Sequence, residues 1–187
     1  MPDETLASVE FHEVDQHRWP DFERLFESRG GPKYCWCMLF RARAAELRTA
    51  GHSYRKEAMH HRVQENVPIG LLGYLNGEPV AWCSMAPRET YQRLRGQQDA
   101  ADTPGSVWSL ACFFVQRRFR GKGMTRRLIQ AAVDHAKAKG ASVVEAYPVD
   151  PDSPSYRFMG IVRSFEAAGF LEVGRAGTRR HVMRLQV

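Results

Sequence analysis

Apolar residues recur along this chain with a period of two in some stretches and close to four in others, and the changes of period mark its elements. Residues 8–14 set Val9, Phe11 and Val14 among polar neighbours, which predicts a strand. Phe22, Leu25 and Phe26 then share one face of a helix that Pro20 opens and Gly30-Gly31 closes. Residues 41–65 favour helix but are broken at Gly51, so two helices are expected there, with the loop 31–38 leading into them. Two apolar runs, 69–74 and 79–85, meet at Asn76-Gly77, the strongest short-range signal for a hairpin.

The run from 106 to 115 is almost unbroken: Val107, Trp108, Leu110, Ala111, Cys112, Phe113, Phe114 and Val115. Such a run predicts a central strand covered on both faces. Residues 121–139 read as a helix, because Met124, Leu128, Ala132 and Ala136 recur every fourth position, Lys137 and Lys139 lie in the last turn, and Gly140 follows as a cap. A strand at 142–147, a short helix at 161–168 stopped by Gly169, and strands at 170–173 and 181–185 complete the pattern. Residues 97–105 and 148–155, rich in Gly, Pro, Asp and Ser, read as surface loops rather than linkers. The fold class is therefore α/β with a mixed sheet.

Length and composition narrow this further. With 187 residues, 43% of them hydrophobic, the chain suits one well-filled core, so a single domain over residues 1–187 is expected. No apolar stretch approaches the ~20 residues of a spanning helix, and Met1-Pro2-Asp3-Glu4 lacks the character of a signal peptide, so a cytoplasmic protein without membrane contact is expected. Four scattered cysteines argue for reduced thiols, and the single spacer in Cys35-Trp36-Cys37 suits zinc poorly, so no metal is expected. The net charge of +6 suggests an anionic partner: nucleic acid, membrane or a phosphorylated small molecule.

Where that charge concentrates is more informative. Directly after the core strand comes Gln116-Arg117-Arg118-Phe119-Arg120-Gly121-Lys122-Gly123-Met124. A strand that enters a helix through glycines leaves the helix's first amides unpaired at the positive end of its dipole, with no side chains to hold an anion away. A diphosphate suits such a site. A P-loop would need glycine at 116 and Ser or Thr after the lysine, where Gln116 and Gly123 stand, and a dinucleotide fingerprint would need a small residue in place of Arg126.

Arg118, Gly121 and Gly123 in this context resemble motif A of the GNAT superfamily of acyl-CoA-dependent N-acetyltransferases, and Ser164-Phe165-Glu166-Ala167-Ala168-Gly169-Phe170 resembles that family's last helix and Gly-Phe ending. The resemblance implies a GNAT fold, a mostly antiparallel central sheet of six or seven strands with splayed fourth and fifth strands, flanked by helices. It also implies acetyl-CoA as cosubstrate. The main chain of Phe113 and Val115 would pair with the pantetheine arm, while Arg120, Gly121, Lys122, Gly123 and Met124 would surround the diphosphate. Phe165 would adjoin the cofactor, and Arg117, Arg118, Arg126 or Arg127 would serve the remaining phosphate unless they form a solvated helix face.

Phe165 stands where the family usually has a tyrosine as proton donor, so that role needs another residue. Tyr147 is the first candidate and Tyr156 the second, against the reading of Tyr147 as a core aromatic. Glu145 shares the face of Tyr147 and is either the general base or the partner of an arginine. Cys112 is better explained as packing than as a nucleophile. Trp36, in a loop too apolar for an ordinary surface, lines the acceptor pocket or plugs the core; Trp108 is a further candidate for the pocket wall.

These readings lead to direct acetyl transfer to an amine of a small-molecule or protein acceptor. A non-catalytic acyl-CoA-binding module is the alternative that Phe165 motivates. A nucleic-acid partner ranks last, since no recognition helix or aromatic-interleaved basic strand is apparent. A homodimer is compatible with everything above.

Overall fold

The computed structural model describes residues 8–43, 48, 52–92, 94–96 and 101–187. Among these residues seven strands form one sheet in the order β1-β2-β3-β4-β5-β7-β6. They are β1 (Glu10–Glu13), β2 (Gly70–Leu75), β3 (Glu78–Pro87), β4 (Val107–Val115), β5 (Val143–Ala146), β6 (Leu171–Ala176) and β7 (Arg180–Gln186). Every neighbouring pair is antiparallel except β4 and β5. That parallel pair needs a crossover, and the helix between its strands supplies it. The hairpin expected at Asn76-Gly77 joins β2 to β3, with both turn residues at positive φ.

Among the described residues four α-helices flank the sheet: α1 (Trp19–Glu27), α2 (His52–Gln64), α3 (Met124–Ala138) and α4 (Val162–Glu166). On one face Leu110, Phe113 and Met183 of the sheet pack against Leu128, Ala132 and Ala136 of α3 and Phe165 of α4. On the other, Leu72 and Trp82 pack against Phe22 and Phe26 of α1 and Met59 and Val63 of α2. Burying apolar side chains on both faces of β4 explains why its sequence does not alternate. The first of the two helices expected between 41 and 65 lies mostly outside the described residues, as does much of the loop 97–105.

Two departures from the sequence reading have a local cause. The crossover helix begins at Met124 rather than Gly121, because Gly121 and Gly123 adopt φ of 75° and 87°, which no right-handed helix contains. The register of β4 on β3 shifts between Ser84 and Met85, so that Ser84 faces Cys112 and Met85 faces Leu110. This bulge at Ala111 puts Ser109 and Cys112 on the same face although they are three apart. Among the described residues no helix is long and apolar enough to cross a membrane.

Candidate functional site

β4 pairs with β5 only from Val107 to Leu110. Residues 111–115 continue along β3 but, among the described residues, have no strand on their other edge, so a gap opens in the middle of the sheet. At its end Arg120 Nε donates to the Val115 carbonyl at 2.8 Å, and a short 3-10 turn, Arg117–Phe119, leads into the glycines. Gly121, Lys122 and Gly123 are exposed, and no side chain caps α3. Among the described residues the amides of Gly121, Gly123 and Met124 have no protein acceptor. A Cβ built at either glycine would meet nothing within 4 Å. Open amides at a helix start beside exposed Arg118, Arg120 and Lys122 are an arrangement chemically suited to an anion.

On the α1 face of β4 lies an apolar cavity of about 240 Å³, walled by Ala111, Cys112 and Phe114 of β4 and by Cys35, Cys37 and Phe40 of the loop before α2. Trp36, between those two cysteines, turns the other way: it is 2% exposed and packs on Trp19 and Phe26. Trp36 thus fills the core instead of facing this cavity, which its neighbours Cys35 and Cys37 line. Trp82 Nε1 donates to Cys37 Sγ at 3.1 Å. Hydrogen bonding to a thiol, that of Cys37 for Cys35 and that of Cys112 for Cys37, together with burial, holds both above their ordinary range, so both stay protonated. Arg41, 1% exposed, pins the end of the loop by donating to the Ile69 carbonyl at 2.9 Å and to Tyr91 OH at 2.8 Å.

Glu145 and Tyr147 do come together, inside a buried polar row. Ser109, Glu145 and Arg184 are direct cross-strand neighbours on β4, β5 and β7. Glu145 accepts from Arg184 Nε at 2.8 Å and from the Tyr147 hydroxyl, which lies 3.1 Å from Ser109 Oγ. Arg184 also reaches Asp102 at 2.8 and 3.2 Å, and Arg88 bridges Asp102 at 2.9 Å and Glu145 at 3.5 Å. Glu145 and Tyr147 are both 0% exposed, and Gly96 closes over them so tightly that a Cβ there would stand 1.8 Å from Glu145 Oε1. Burial, then the Glu145 charge, pushes the Tyr147 hydroxyl well above the usual phenol range.

Of the other expected residues, Phe113 and Val115 lie on the open stretch of β4, and Phe165 is fully buried, its ring edge-on to Phe113 with centroids 6.0 Å apart. Trp108 is buried on the α3 face, its ring 6.0 Å from His135, on the opposite side of the sheet from the apolar cavity. Tyr156 is 36% exposed and lines a neighbouring cavity. Sequence reasoning passed over Ser109, Asp102, Arg184 and Arg41. The available signal was the carboxylate at 145 inside an apolar strand, which demands a cation without saying which of 27 basic residues supplies it.

The sequence model of the acetyltransferase (GNAT) family matches residues 11–160. No curated protein is similar enough in sequence to match. Among solved structures the chain resembles aminoglycoside acetyltransferase AAC(6')-Ib in complex with coenzyme A, at a TM-score of 0.60 and 19% identity over 96% of this chain and 95% of that one. It also resembles the PaiA N-acetyltransferase from Thermoplasma acidophilum in complex with coenzyme A, at 0.55 and 15% over 96% and 99%. A GNAT-family acetyltransferase from Streptococcus pneumoniae aligns at 0.57 and 12% over 96% and 99%.

Proposed function

The chain belongs to the acetyltransferase (GNAT) family, and from that premise we propose that it transfers an acetyl group from acetyl-CoA directly to an amine. The observation that carries the proposal is the unpaired edge of β4 at 111–115, which ends on a turn with open amides and has an apolar cavity on its flank. In this reading the amides of Gly121, Gly123 and Met124 hold the diphosphate, with Arg118, Arg120 and Lys122 around it. The pantetheine arm lies along β4 like an added strand. Because the Val115 carbonyl already accepts from Arg120, that pairing falls chiefly on Phe113. The acetyl group is then presented near the bulge at Ala111.

Acetyl transfer forms a carbon–nitrogen bond as the carbon–sulfur bond breaks, so the amine must arrive neutral and the leaving thiolate needs a proton. Tyr147 suits that last role poorly. Its proton points at a carboxylate, its hydroxyl is sealed from the cleft, and its raised pKa opposes release. We assign Glu145 and Tyr147 a positioning role at the start of the gap, and the proton donor to Tyr156, whose ring lies 6.1 Å from that of Phe158 on the cavity wall.

The test is thiol release from acetyl-CoA with a panel of primary amines, with the acetylated product identified by mass. Amine-dependent product formation is expected. Tight binding of acetyl-CoA without product from any amine would favour the second reading, a binding module, which the buried and hydroxyl-free Phe165 motivates.

A further inference from the structure

Across Phe40 from the apolar cavity lies a second one of about 430 Å³, lined by Leu39, Phe40, Arg95, Tyr156, Arg179 and Arg180. Its character is opposite. The Arg180 side chain lies against two rings, its guanidinium carbon 5.3 Å from the centroids of both Phe40 and Tyr156, and the residue is only 7% exposed. Its one hydrogen bond among the described residues runs from Nη1 to the Leu94 carbonyl at 3.1 Å, while Arg179 donates to Ser155 Oγ at 2.8 Å. Among the described residues none of the three arginines has a carboxylate within ion-pairing distance. Arg184, equally buried, has two.

A buried cation without a counter-charge is costly, and like charges around one cavity add to the cost. Burial, with Arg95 adding in the same direction, lowers the affinity of Arg180 for its proton. Backbone strain collects here as well. Of six non-glycine residues at positive φ among those described, Asn66 and Asn76 tolerate it well, and the remaining four, Trp36, Cys37, Arg95 and Tyr156, lie on segments that wall the two cavities. Ring contacts use the faces of a guanidinium, so the N–H donors of Arg180 other than the one on the Leu94 carbonyl are left for a carboxylate.

We propose that the acceptor carries a carboxylate beside its amine and an apolar side chain, as a free amino acid with a large aliphatic or aromatic side chain does, the carboxylate resting on Arg95, Arg179 and Arg180 and the side chain entering the apolar cavity past Phe40. This deepens the acetyltransferase reading and rests on it. A phosphate of acetyl-CoA is the other source of a negative charge, but no residue of the turn before α3 lines this cavity.

The experiment compares phenylalanine, phenylalaninamide and phenethylamine as acceptors, and measures binding of 3-phenylpropionate, which has the carboxylate and ring but no amine, by calorimetry. The amide's amino group titrates like a chain terminus, near ~7.7–8.0, so more of it is neutral and reactivity alone would favour it. Phenylalanine is nevertheless expected to show a kcat/KM about ten- to a hundredfold higher than either partner. Arg95→Gln/Arg179→Gln, both at exposed positions, should raise its KM about tenfold and weaken 3-phenylpropionate to match, with kcat and acetyl-CoA affinity unchanged. Equal use of all three amines, together with no binding of 3-phenylpropionate, would overturn the inference and leave the acetyltransferase reading intact. A double variant that loses acetyl-CoA instead would also overturn it, by giving the arginines to the cosubstrate. Variant-sensitive 3-phenylpropionate binding without turnover of any amine would uphold the carboxylate site and sink the transferase reading.

Discussion

Reversing a charge at Gly121 separates the anion site from the fold that carries it. Gly121 has φ of 75°, is exposed, and has open space where a Cβ would stand. Glu and Lys at this position therefore share the same penalty, about 1–2 kcal/mol for a left-handed residue, and melting should fall equally, by roughly 2–4 °C per kcal/mol. They differ in what they do to a diphosphate. A carboxylate about 5 Å from two negative charges costs roughly 2 kcal/mol at the dielectric of water and about 7 kcal/mol at an effective constant near ~20. The exposure of the turn favours the lower figure, which corresponds to about a 30-fold weaker Kd for acetyl-CoA. Gly121→Lys should bind as well as the parent or better, and the gap between the two variants should narrow as salt rises. Calorimetry gives the affinities, and S-acetylpantetheine, lacking the diphosphate, should be indifferent to either change. If Glu and Lys variants with matching melting temperatures bind acetyl-CoA equally, the diphosphate does not rest on this turn.

The two tyrosines should separate by assay. Tyr147→Phe leaves the buried Glu145 short of a donor, so urea stability should drop by about 1–3 kcal/mol with kcat held within a few fold, whereas Tyr156→Phe should lower kcat by on the order of a hundredfold at saturating substrates. A Tyr147→Phe enzyme that is stable but slow would reverse these assignments. Alkaline pH should also weaken the fold. Cys83, raised by burial, and Cys37, raised by the Cys112 thiol and by burial, keep their protons in the native state, while an unfolded thiol loses its own near ~8.5. Stability is then complete below that pH and falls above it, at about 1.4 kcal/mol per thiol per pH unit, and Tyr91, pushed up to about 12 chiefly by burial, adds to the fall above the usual phenol pKa of ~10. Urea midpoints at pH 8 and 10 measure this; no decline, or an equal decline in Cys37→Ser/Cys83→Ala, would count against it.

How far the sequence could be read depended on whether a feature is local. The hairpin at Asn76-Gly77, the doubly covered β4 and the glycine turn before α3 each follow from residues adjacent in the chain, and each stands where expected. Trp108 shows the limit. In a strand buried on both faces aromaticity does not say which face a side chain takes, and the bulge at Ala111 changes the alternation partway along. Arg180 shows it more sharply. Its neighbours Phe40, Leu94 and Tyr156 come from three separate loops, so nothing near it in sequence distinguishes it from Arg179, which is exposed.

The polar row explains how a sheet can hold a gap open in its middle. Past Leu110 and Ala146 the ladder between β4 and β5 stops, and a gap in a ladder would ordinarily close or propagate, since unpaired strand edges attract partners. Immediately before that point Ser109, Glu145 and Arg184 tie β4, β5 and β7 together through side chains, and Asp102 and Arg88 fasten the same row to the segment leading into β4 and to the end of β3. Sealed charges of this kind add little net stability compared with an apolar core, but breaking one member leaves its partner buried and unpaired, at about 3–5 kcal/mol. That asymmetry suits a clamp. It tolerates no slippage of β5 along β4, because a shift by one residue would send Glu145 to the α3 face among Leu110, Val144 and Ala146, where no cation waits. The gap's origin is thus held by charge pairing at a fixed register, while its length is set by how far β4 outruns β5.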